Sequence, residues 1–387
     1  MEQKITNILY ITHVTDLSGA NSSLLQMITE LRDNHNVVPF VIYPKRHANG
    51  KKTIGDVMKE RGIEGAACGR MVCFQRENTS FLYKIYFIFS EILNLIQFLW
   101  ICRGRKFDLV HTNTSILDIG LYYARIKKIP HVWHLREVAW RSFGFKSIFG
   151  VKYMRWLYNN STANIAISKN VLEEFSKYLP SDRTYVIYNG VLPPRDSIIP
   201  NHIGDFVKMC IVGRVEPNKN QQEAINAVSL LVNSGYKNLR LYIIGNDDND
   251  YGYAARKSVE TQNLSEYVEF MGVQNNVPEL LQQMNIGLML SKHEAFGRVT
   301  IEYMQNGLYT IASNTSANVE IVKHKENGFL YEFGNPESLA TIIRMIIDKG
   351  DELYGIVVEG MREATENYSS VNNSNKVFAL YQSIFNS

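Results

Sequence analysis

Short apolar runs rich in β-branched residues alternate with longer helical stretches along almost the whole chain. Strands are expected at residues 7–12, 37–43, 108–112, 130–135, 163–167 and 184–188, and again at residues 207–212, 239–244, 267–271, 285–290, 308–312 and 328–331. This alternation is typical of parallel sheets that are covered by helices. Because 387 residues are too many for one compact core, the pattern predicts an α/β protein with two doubly wound domains.

The segment between the two sets of strands has the composition of a linker. Residues 191–205 hold three of the ten prolines and show no apolar periodicity. We therefore expect one domain over residues 1–190 and a second over residues 206–367.

Charge is distributed unevenly between the two halves. Residues 1–195 carry 26 Lys and Arg against 15 Asp and Glu, whereas residues 196–387 carry 15 against 23. A basic half suits phosphorylated ligands, an anionic membrane surface or nucleic acid. Because the sequence has no zinc-finger, KH or RNP pattern, we do not expect nucleic acid as a partner. Four scattered cysteines without a pairing pattern, and a start without a signal-peptide pattern, favour a cytoplasmic location.

Residues 81–101 form the most apolar stretch and are long enough to cross a membrane. Five polar residues fall within about 140° of a helical wheel and leave a wide apolar face: Lys84, Ser90, Glu91, Asn94 and Gln97. Two interpretations stay open, a helix that packs on the first sheet and a helix that lies in a membrane interface. Basic and aromatic residues between Arg141 and Tyr158 add some support to the second, although such a stretch is more often a half-buried helix with solvated lysines. An anionic membrane surface at the inner face is therefore a candidate partner.

The strongest functional signal is SKHEAFGRVTIEYMQNG at residues 291–307, directly after an apolar strand. Ligands of doubly wound sheets bind at loops of this kind, where a strand leads into a helix. Glu294 is expected in the loop and Glu302 about one turn into the helix. The amides from Phe296 to Thr300 are expected to be unpaired at the helix start, where they suit a phosphate.

Two carboxylates beside a phosphate site suit a ligand that carries hydroxyl groups at both ends and phosphate in the middle. A nucleotide sugar has this form. A glycosidase pair is the alternative, but its two carboxylates would have to flank one glycosidic bond.

A second motif, CIVGRVEPNKN at residues 210–220, places Gly213, Arg214 and Lys219 after another expected strand. Glycine permits a tight turn, and two cations at the ligand edge of a sheet would neutralise a diphosphate leaving group. An arginine after a strand is also common as a plain surface residue. Both motifs are expected at one crevice.

These motifs resemble those of the retaining glycosyltransferases of family 4, which have the two-domain GT-B fold. The family's two glutamates, which are separated by seven intervening residues, match Glu294 and Glu302, with Phe296 and Gly297 of its E-x-F-G segment between them. Its G-R-x-x-x-x-K pattern matches residues 213–219. Looser similarities lie at Ser18-Gly19, Asp108 to His111, His134, Ser168, Asn189-Gly190, Gly245-Asn246 and Asn327-Gly328. The resemblance covers nearly the whole chain.

The resemblance implies a role for each matched residue. The donor pocket would include Gly213 and Gly245, the donor diphosphate would be held by Arg214 and Lys219, and the backbone of Phe296, Gly297, Val299 and Thr300 would assist. Glu302 would bind the ribose and Glu294 the transferred sugar. His134 would lie near the sugar ring, and Gly19 near the phosphates.

The resemblance also implies two Rossmann-like domains that face each other across a cleft, with residues 368–387 returning to the first. The reaction would transfer a hexose from a nucleotide sugar, UDP-linked rather than GDP-linked, to a glycan or lipid-linked acceptor in polysaccharide biosynthesis. The anomeric configuration would be retained, and neither a metal ion nor a cofactor would be needed.

Several positions depart from the family's pattern and leave alternatives open. Ser18 replaces a glycine, and Tyr303 stands where a small residue is usual. His134 and His111 are alternatively buried histidines bonded at strand ends. Three acidic residues suit either a divalent cation or, as we expect, a solvated loop: Asp247, Asp248 and Asp250. A UDP-sugar epimerase or a non-catalytic partner subunit of the same fold is the alternative function.

Overall fold

The structure is a computed structural model that describes residues 6–17, 19–45, 52–69, 74–75, 80–138, 146–194, 198–200 and 202–387. Contacts divide the chain into two compact units, Met1–Gly190 with Ser370–Ser387, and Val191–Ser369. The expected linker at residues 191–205 belongs to the second unit, where the Val191 amide donates to the Tyr368 carbonyl oxygen at 2.8 Å. Residues 195–197 and 201 of that segment, like Ser18 and Arg141, lie outside the described residues.

The first unit contains a parallel sheet of seven strands. Its strands are β1 (Thr6–Ile11), β2 (Val37–Pro44), β3 (Glu64–Cys68), β5 (Leu109–Thr112), β6 (His131–Leu135), β8 (Ala163–Ala166) and β9 (Thr184–Val186). They lie in the order β3-β2-β1-β5-β6-β8-β9. A separate antiparallel pair joins β4 (Phe74–Gln75) to β7 (Lys146–Ser147). The six strands expected in this half are confirmed, whereas β3 was not predicted because its sequence, EGAAC, has no β-branched residue.

Helices cover both faces of this sheet. They are α1 (Gly19–His35), α2 (Ile54–Glu60), α3 (Phe81–Ile101), α4 (Ile119–Lys127), α5 (Gly150–Asn159), α6 (Lys169–Phe175) and the final helix α13 (Ser370–Phe385), with a 3₁₀ turn at Ser181–Arg183. The final helix packs beside α1, and its Val377 and Tyr381 are buried in the same core as Leu24 and Ile28. The C-terminal helix is therefore part of the first unit.

The second unit repeats this architecture with six parallel strands. They are β10 (Val207–Val212), β11 (Leu239–Ile244), β12 (Val268–Gly272), β13 (Ile286–Met289), β14 (Tyr309–Ser313) and β15 (Phe329–Tyr331), in the order β12-β11-β10-β13-β14-β15. Its helices are α7 (Gln221–Asn233), α8 (Asp250–Thr261), α9 (Val277–Leu281), α10 (Arg298–Gln305), α11 (Asn318–Ile321) and α12 (Pro336–Tyr368), after a 3₁₀ turn at Pro217–Lys219. All six expected strands of this half are confirmed.

The strand order of each sheet creates one place where a ligand fits. In the first sheet, β2 and β3 lie on one side of β1 and the later strands lie on the other side. In the second sheet, β11 and β12 lie on one side of β10 and β13 to β15 on the other. A crevice opens at the carboxyl ends of the strands where the direction reverses. In the second unit this reversal lies between β10 and β13, and both predicted motifs follow these two strands.

The apolar segment at residues 81–101 forms α3, which begins after the N-cap Ser80. Phe98 of this helix is buried against the first sheet, but most of the apolar residues of α3 are exposed. Within the described residues, one helix, over Leu82–Ile101, has the length and apolar composition that crossing a membrane requires.

Candidate active site

Asn218 ties together the loops that follow β10 and β13. The Lys292 amide donates to the Asn218 carbonyl oxygen at 2.9 Å. The Asn218 side chain donates to the His293 carbonyl oxygen at 3.0 Å and accepts the His293 amide at 3.1 Å. Three hydrogen bonds thus fix the two loops side by side, so the two sequence motifs share one crevice as expected.

The side chains of Lys219 and Glu294 meet in this crevice. The Lys219 Nζ lies 2.8 Å from the Glu294 Oε2, and the two side chains are 22% and 18% exposed. Both are therefore partly desolvated yet open to a ligand. Arg214, which directly follows Gly213, is exposed and makes no ion pair with any residue that the structure describes.

Two glycines allow the backbone at this sheet edge to pack closely. Gly213 has a φ of +145° and Gly245 a φ of +151°, a region that side chains rarely adopt. A Cβ atom at Gly245 would lie 1.9 Å from the Gly213 carbonyl oxygen. The strand ends β10 and β11 therefore require glycine here, and the absence of side chains leaves room at the carboxyl edge.

Helix α10 begins beside Glu294. Gly297 precedes it in the left-handed region with a φ of +88°. The amides of a first helical turn lack intrahelical acceptors and attract anions. The Thr300 amide donates to the Gly297 carbonyl oxygen at 3.0 Å, so the expectation that every amide from Phe296 to Thr300 is unpaired is wrong at Thr300. Val299 is half-buried, in the first turn of α10.

The side chains of Phe296 and Thr300 are both buried at the start of α10. The Phe296 ring is buried against Tyr368 with 5.9 Å between ring centroids. The Thr300 hydroxyl is buried and has no hydrogen-bond partner among the described residues. Phe296 therefore anchors the loop, and its contribution to ligand binding is limited to its backbone.

Glu302 is partnered within α10. The Arg298 Nε donates to the Glu302 Oε1 at 2.8 Å, and the two side chains are 22% and 24% exposed. A spacing of four residues brings such a pair together on one helix face. The second glutamate of the motif therefore presents a carboxylate that is already bonded on one side and partly open on the other.

The unusual Tyr303 lies behind the site rather than in it. Its ring is fully buried against Gly287 of β13, where a Cβ atom would lie 2.4 Å from the ring. Its hydroxyl accepts the Val212 amide at 2.8 Å, at the end of β10. Tyr303 therefore fills the space of the missing side chain at Gly287 and braces the strand that carries the cationic motif.

His134 lies in the first unit, at the end of β6, and is completely buried. Its Nδ1 is 3.0 Å from the His111 Nε2, and the His111 Nδ1 is 2.6 Å from the Tyr381 hydroxyl of α13. Burial, with the Arg136 guanidinium nearby, lowers the pKa of both histidines well below its usual value, so both rings are neutral near pH 7. The His134 Nε2 has no partner among the described residues.

Gly19 is also in the first unit and is the first residue of α1. It is exposed, and a Cβ atom there would have no neighbour within 4 Å. The helix start at the carboxyl edge of the first sheet is therefore open to a ligand.

The acidic loop after Gly245 has partners on its own surface. Asp247 pairs with Arg256, and Asp248 with the Tyr253 hydroxyl. Among the described residues, no three His, Cys, Asp or Glu side chains are grouped as metal ligands. Asp248 and Asp250 are exposed, Asp250 as the first residue of α8, whereas the Asp247 side chain is only 14% exposed.

Two family models together match most of the chain. The model described as "Glycosyltransferase Family 4" matches residues 17–193, and the model described as "Glycosyl transferases group 1" matches residues 195–364. The chain is a glycosyltransferase of the GT-B type.

Relatives of this glycosyltransferase include two bacterial enzymes. It is 24% identical over 315 residues to the UDP-Gal:alpha-D-GlcNAc-diphosphoundecaprenol alpha-1,3-galactosyltransferase of Escherichia coli. This alignment covers 76% of this chain and 80% of the relative. It is 26% identical over 313 residues to the capsular polysaccharide biosynthesis glycosyltransferase CapM of Staphylococcus aureus, over 73% of this chain and 78% of the relative.

Solved structures share the fold of this glycosyltransferase. Anabaena HepE in complex with UDP-glucose has a TM-score of 0.78 at 20% identity, over 97% of this chain and 99% of that chain. The Staphylococcus aureus protein TarM has a TM-score of 0.77 at 13% identity, over 99% of both chains. These likenesses confirm the predicted GT-B fold.

Two residues that line the crevice of this glycosyltransferase, Asn218 and Arg298, were not predicted from the sequence. Asn218 lies inside the predicted motif, but its role depends on contacts with a loop 75 residues away. Arg298 was detectable from its spacing of four residues before Glu302.

Proposed function

We propose that this glycosyltransferase moves a hexose from a UDP-sugar to a lipid-linked or growing cell-surface glycan, with retention of configuration and without a metal ion. The reaction would take place in the cytoplasm, at the inner face of the membrane. The observation that carries the proposal is the convergence of Lys219, Glu294 and the start of α10 at the reversal point of the second sheet. This crevice combines groups for phosphate with groups for hydroxyls.

Lys219 would hold the donor diphosphate without releasing Glu294. An ammonium group has three donors, and the Glu294 carboxylate uses one of them at 2.8 Å. The remaining donors, the exposed Arg214 and the amides at the start of α10 would surround the phosphates. Glu294 would accept hydroxyl hydrogens of the transferred sugar through its second oxygen.

Glu302 would bind the ribose of the donor. Its Oε1 accepts from Arg298, which orients the carboxylate. A carboxylate held in this way accepts both hydroxyl hydrogens of a ribose more readily than a freely rotating one, since less side-chain entropy is lost on binding.

The transfer step needs no base from the protein. The acceptor oxygen forms a bond to the anomeric carbon on the face from which the diphosphate leaves. The bond between that carbon and the β-phosphate oxygen breaks with its electron pair on the oxygen, which then takes the acceptor's proton. Lys219 and Arg214 would stabilise the charge that develops on the diphosphate, and loss of one such group typically lowers the rate by about 10²–10³.

The first unit would contribute His134 and Gly19. The His134 ring is neutral and keeps its Nε2 without a partner among the described residues. A neutral imidazole is unsuited to act as a charged acid. Because His134 is completely buried in the ligand-free protein, its Nε2 would bond a sugar hydroxyl only after neighbouring side chains move aside. Gly19 leaves open space at the start of α1, where an anionic group would fit.

The names of related proteins support the donor and acceptor classes. HepE was solved with UDP and glucose and with UDP-glucose. The Escherichia coli relative uses UDP-Gal and a diphosphoundecaprenol-linked sugar, and CapM serves capsular polysaccharide biosynthesis. A UDP-sugar donor and a lipid-linked or polymeric acceptor extend this pattern to the present chain.

A ligand-binding panel tests the donor assignment. UDP, GDP, ADP and their sugars are compared by thermal shift, because a ligand at 100 times its Kd stabilises the folded state by about 2.7 kcal/mol. We expect UDP compounds to raise the Tm, with or without EDTA. An equal shift with GDP compounds would contradict the uridine assignment, and loss of the shift in EDTA would contradict metal independence.

The ribose role of Glu302 is tested with 2′-deoxy-UDP. The wild type should bind UDP about tenfold more tightly than the deoxy analogue, because a hydrogen bond to a charged group contributes about 1.5–3 kcal/mol. Glu302→Ala should lose this preference. Glu260→Ala, on exposed α8 of the same unit, is the matched control and should keep it.

The stereochemistry separates transfer from the alternative functions. Proton NMR of the first product should show the anomeric configuration of the donor. An inverted product would contradict the retaining mechanism. Consumption of the donor without release of UDP would instead indicate an epimerase.

A further inference from the structure

The outer face of α3 is apolar over its whole length. Eight side chains share this face, within about 120° of the helix at 100° per residue: Leu82, Ile85, Tyr86, Phe89, Ile92, Leu93, Ile96 and Trp100. Their exposure runs from 50% at Ile85 to 76% at Leu82. We name these eight residues the α3 face. Soluble proteins rarely expose so long an apolar patch, and such a patch marks an interaction surface.

The polar side of the same helix is turned toward the protein. Gln97 accepts the Gly69 amide at 3.1 Å, and Asn94 donates to Glu91 at 3.2 Å. Burial, with the nearby charge of Asp118, raises the pKa of Glu91 to about 8. A surface helix in water has the opposite arrangement, with its apolar side inward. The medium that suits the α3 face is therefore apolar.

The surface around α3 is strongly basic. Residues 81–160 carry twelve Lys and Arg against four Asp and Glu. Eight of the basic side chains are exposed: Arg103, Arg105, Lys106, Arg125, Lys127, Lys128, Lys152 and Arg155. The four acidic residues all belong to the described part of the chain, and each is buried or half-buried. The exposed charge here is positive, which complements anionic lipid headgroups.

Ring contacts join α3 to the helices that carry these charges. Phe98 packs edge-on against Tyr123 of α4 at 5.1 Å between centroids, and the Lys127 ammonium lies 5.9 Å from the Tyr123 ring. Phe87 packs against Phe149, the residue before α5, at 6.0 Å. Helix α3 therefore packs directly against α4 and the start of α5, the two helices that carry part of this basic charge.

Helix α5 extends this surface with residues typical of a membrane interface. Val151 and Trp156 are 48% and 39% exposed. The Arg125 guanidinium lies 5.5 Å from the Trp156 ring. Tryptophan beside basic side chains is enriched at the level of lipid headgroups.

We infer that the α3 face inserts into the interface of an anionic lipid bilayer, with the basic residues of α4 and α5 at the headgroups. A helix of 21 residues is about 31 Å long, and interfacial helices bury their apolar side about 5–10 Å deep. Only the purpose of this membrane contact, which is to bring the first unit to a lipid-linked acceptor, rests on the proposed function.

Two other arrangements fit these observations less well. A spanning helix is surrounded by lipid, whereas α3 contacts β3 and α4 and turns Glu91, Asn94 and Gln97 toward the protein. A second copy of the chain on the α3 face would bring two basic surfaces together, and their charges would repel.

Vesicle flotation of the full chain tests the inference. We expect binding to phosphatidylcholine vesicles that contain about one third phosphatidylglycerol, at least tenfold weaker binding to pure phosphatidylcholine, and a similar loss at about 500 mM salt. Phe89→Glu and Leu93→Glu should each weaken binding at least tenfold. Val273→Glu, which changes a 64% exposed apolar residue of the second unit, is the matched control and should bind like the wild type.

Each of the other outcomes would overturn the inference. Equal binding of Phe89→Glu and the wild type would show that the α3 face does not contact lipid. Retention on vesicles after alkaline carbonate extraction would indicate a spanning helix. A lipid-free dimer that Phe89→Glu dissociates, without vesicle binding, would indicate a second copy.

Measurement of UDP binding on the same preparations keeps the two proposals separate. A wild type that binds UDP but no vesicles would defeat only the membrane inference. A wild type that binds vesicles but no nucleotide would defeat only the proposed function. UDP binding reports on the second unit, so a far-UV circular dichroism spectrum and a Tm like those of the wild type are the check that the first unit of Phe89→Glu is folded.

Discussion

Replacing either member of the Lys219–Glu294 pair separates a donor-binding role from a structural one. In the free protein the two side chains hold each other at 2.8 Å and are about one-fifth exposed. At a separation of 2.8 Å their gross attraction is about 6 kcal/mol in an effective dielectric of about 20. Desolvation offsets most of this, so the net contribution is about 1–2 kcal/mol.

Lys219→Met and Glu294→Gln should therefore lower the Tm of the ligand-free protein to a similar extent. For a domain of this size, 1 kcal/mol corresponds to about 2–4 °C. The two variants should differ in their response to UDP. Lys219→Met removes a charge-assisted hydrogen bond of about 1.5–3 kcal/mol and should weaken UDP binding about tenfold to a hundredfold.

Glu294→Gln should instead bind UDP about threefold more tightly, because it removes a negative charge beside the proposed phosphate site, and two unit charges about 6 Å apart in water repel by about 0.7 kcal/mol. The same variant should transfer sugar more slowly, since an amide is a weaker acceptor for the sugar hydroxyls than a carboxylate. Isothermal titration with UDP and an assay of released UDP measure the two effects. Lys257→Met, exposed on α8, is the control.

A change of UDP affinity in the same direction in both variants would contradict the donor-binding roles of Lys219 and Glu294. A purely structural ion pair would produce such a change, because either variant would loosen the same loop. Unchanged affinity in both variants would place the diphosphate elsewhere.

Three further predictions concern the scaffold. Gly245→Ala should destabilise the second unit by about 2 kcal/mol more than Gly235→Ala in urea unfolding, because both have positive φ but only Gly245 lacks space for a Cβ; equal losses would show that the backbone relaxes. Tyr381→Phe should destabilise the first unit by about 1–2 kcal/mol, since it leaves the Nδ1 of the buried His111 without its hydrogen-bond partner; an unchanged urea midpoint would contradict this. In the folded state Glu91 keeps its proton up to its pKa of about 8, whereas in the unfolded state it loses the proton above its ordinary pKa of 4.5. The free energy of unfolding should therefore fall as the pH rises from 4.5 to 8. Glu91→Gln should remove a slope of up to about 1.4 kcal/mol per pH unit, and identical pH profiles of both proteins would refute this.

The sequence predicted the fold well because parallel strands are marked by local composition. Twelve expected strands are present, since each is an apolar, β-branched run between helical segments. β3 escaped prediction because it is an edge strand of small residues, held by pairing with β2 rather than by its own propensity.

The candidate site was predictable for a related reason. The motifs around Lys219 and Glu294 each follow a strand, and parallel strands present their carboxyl ends at one edge of a sheet. The sequence therefore indicated that the two motifs meet. It did not show that Asn218 joins their loops or that Tyr303 fills the space at Gly287, because these contacts depend on side chains packed across the sheet.

For α3 the sequence determined a helix with one polar and one apolar face, because that property follows from the spacing of residues along the chain. Only the tertiary structure decided which face meets solvent. The fold holds Gln97 and Glu91 against the first unit and leaves Phe89 and Trp100 exposed. Orientation depends on what the rest of the chain places beneath a helix, and no local pattern contains that information.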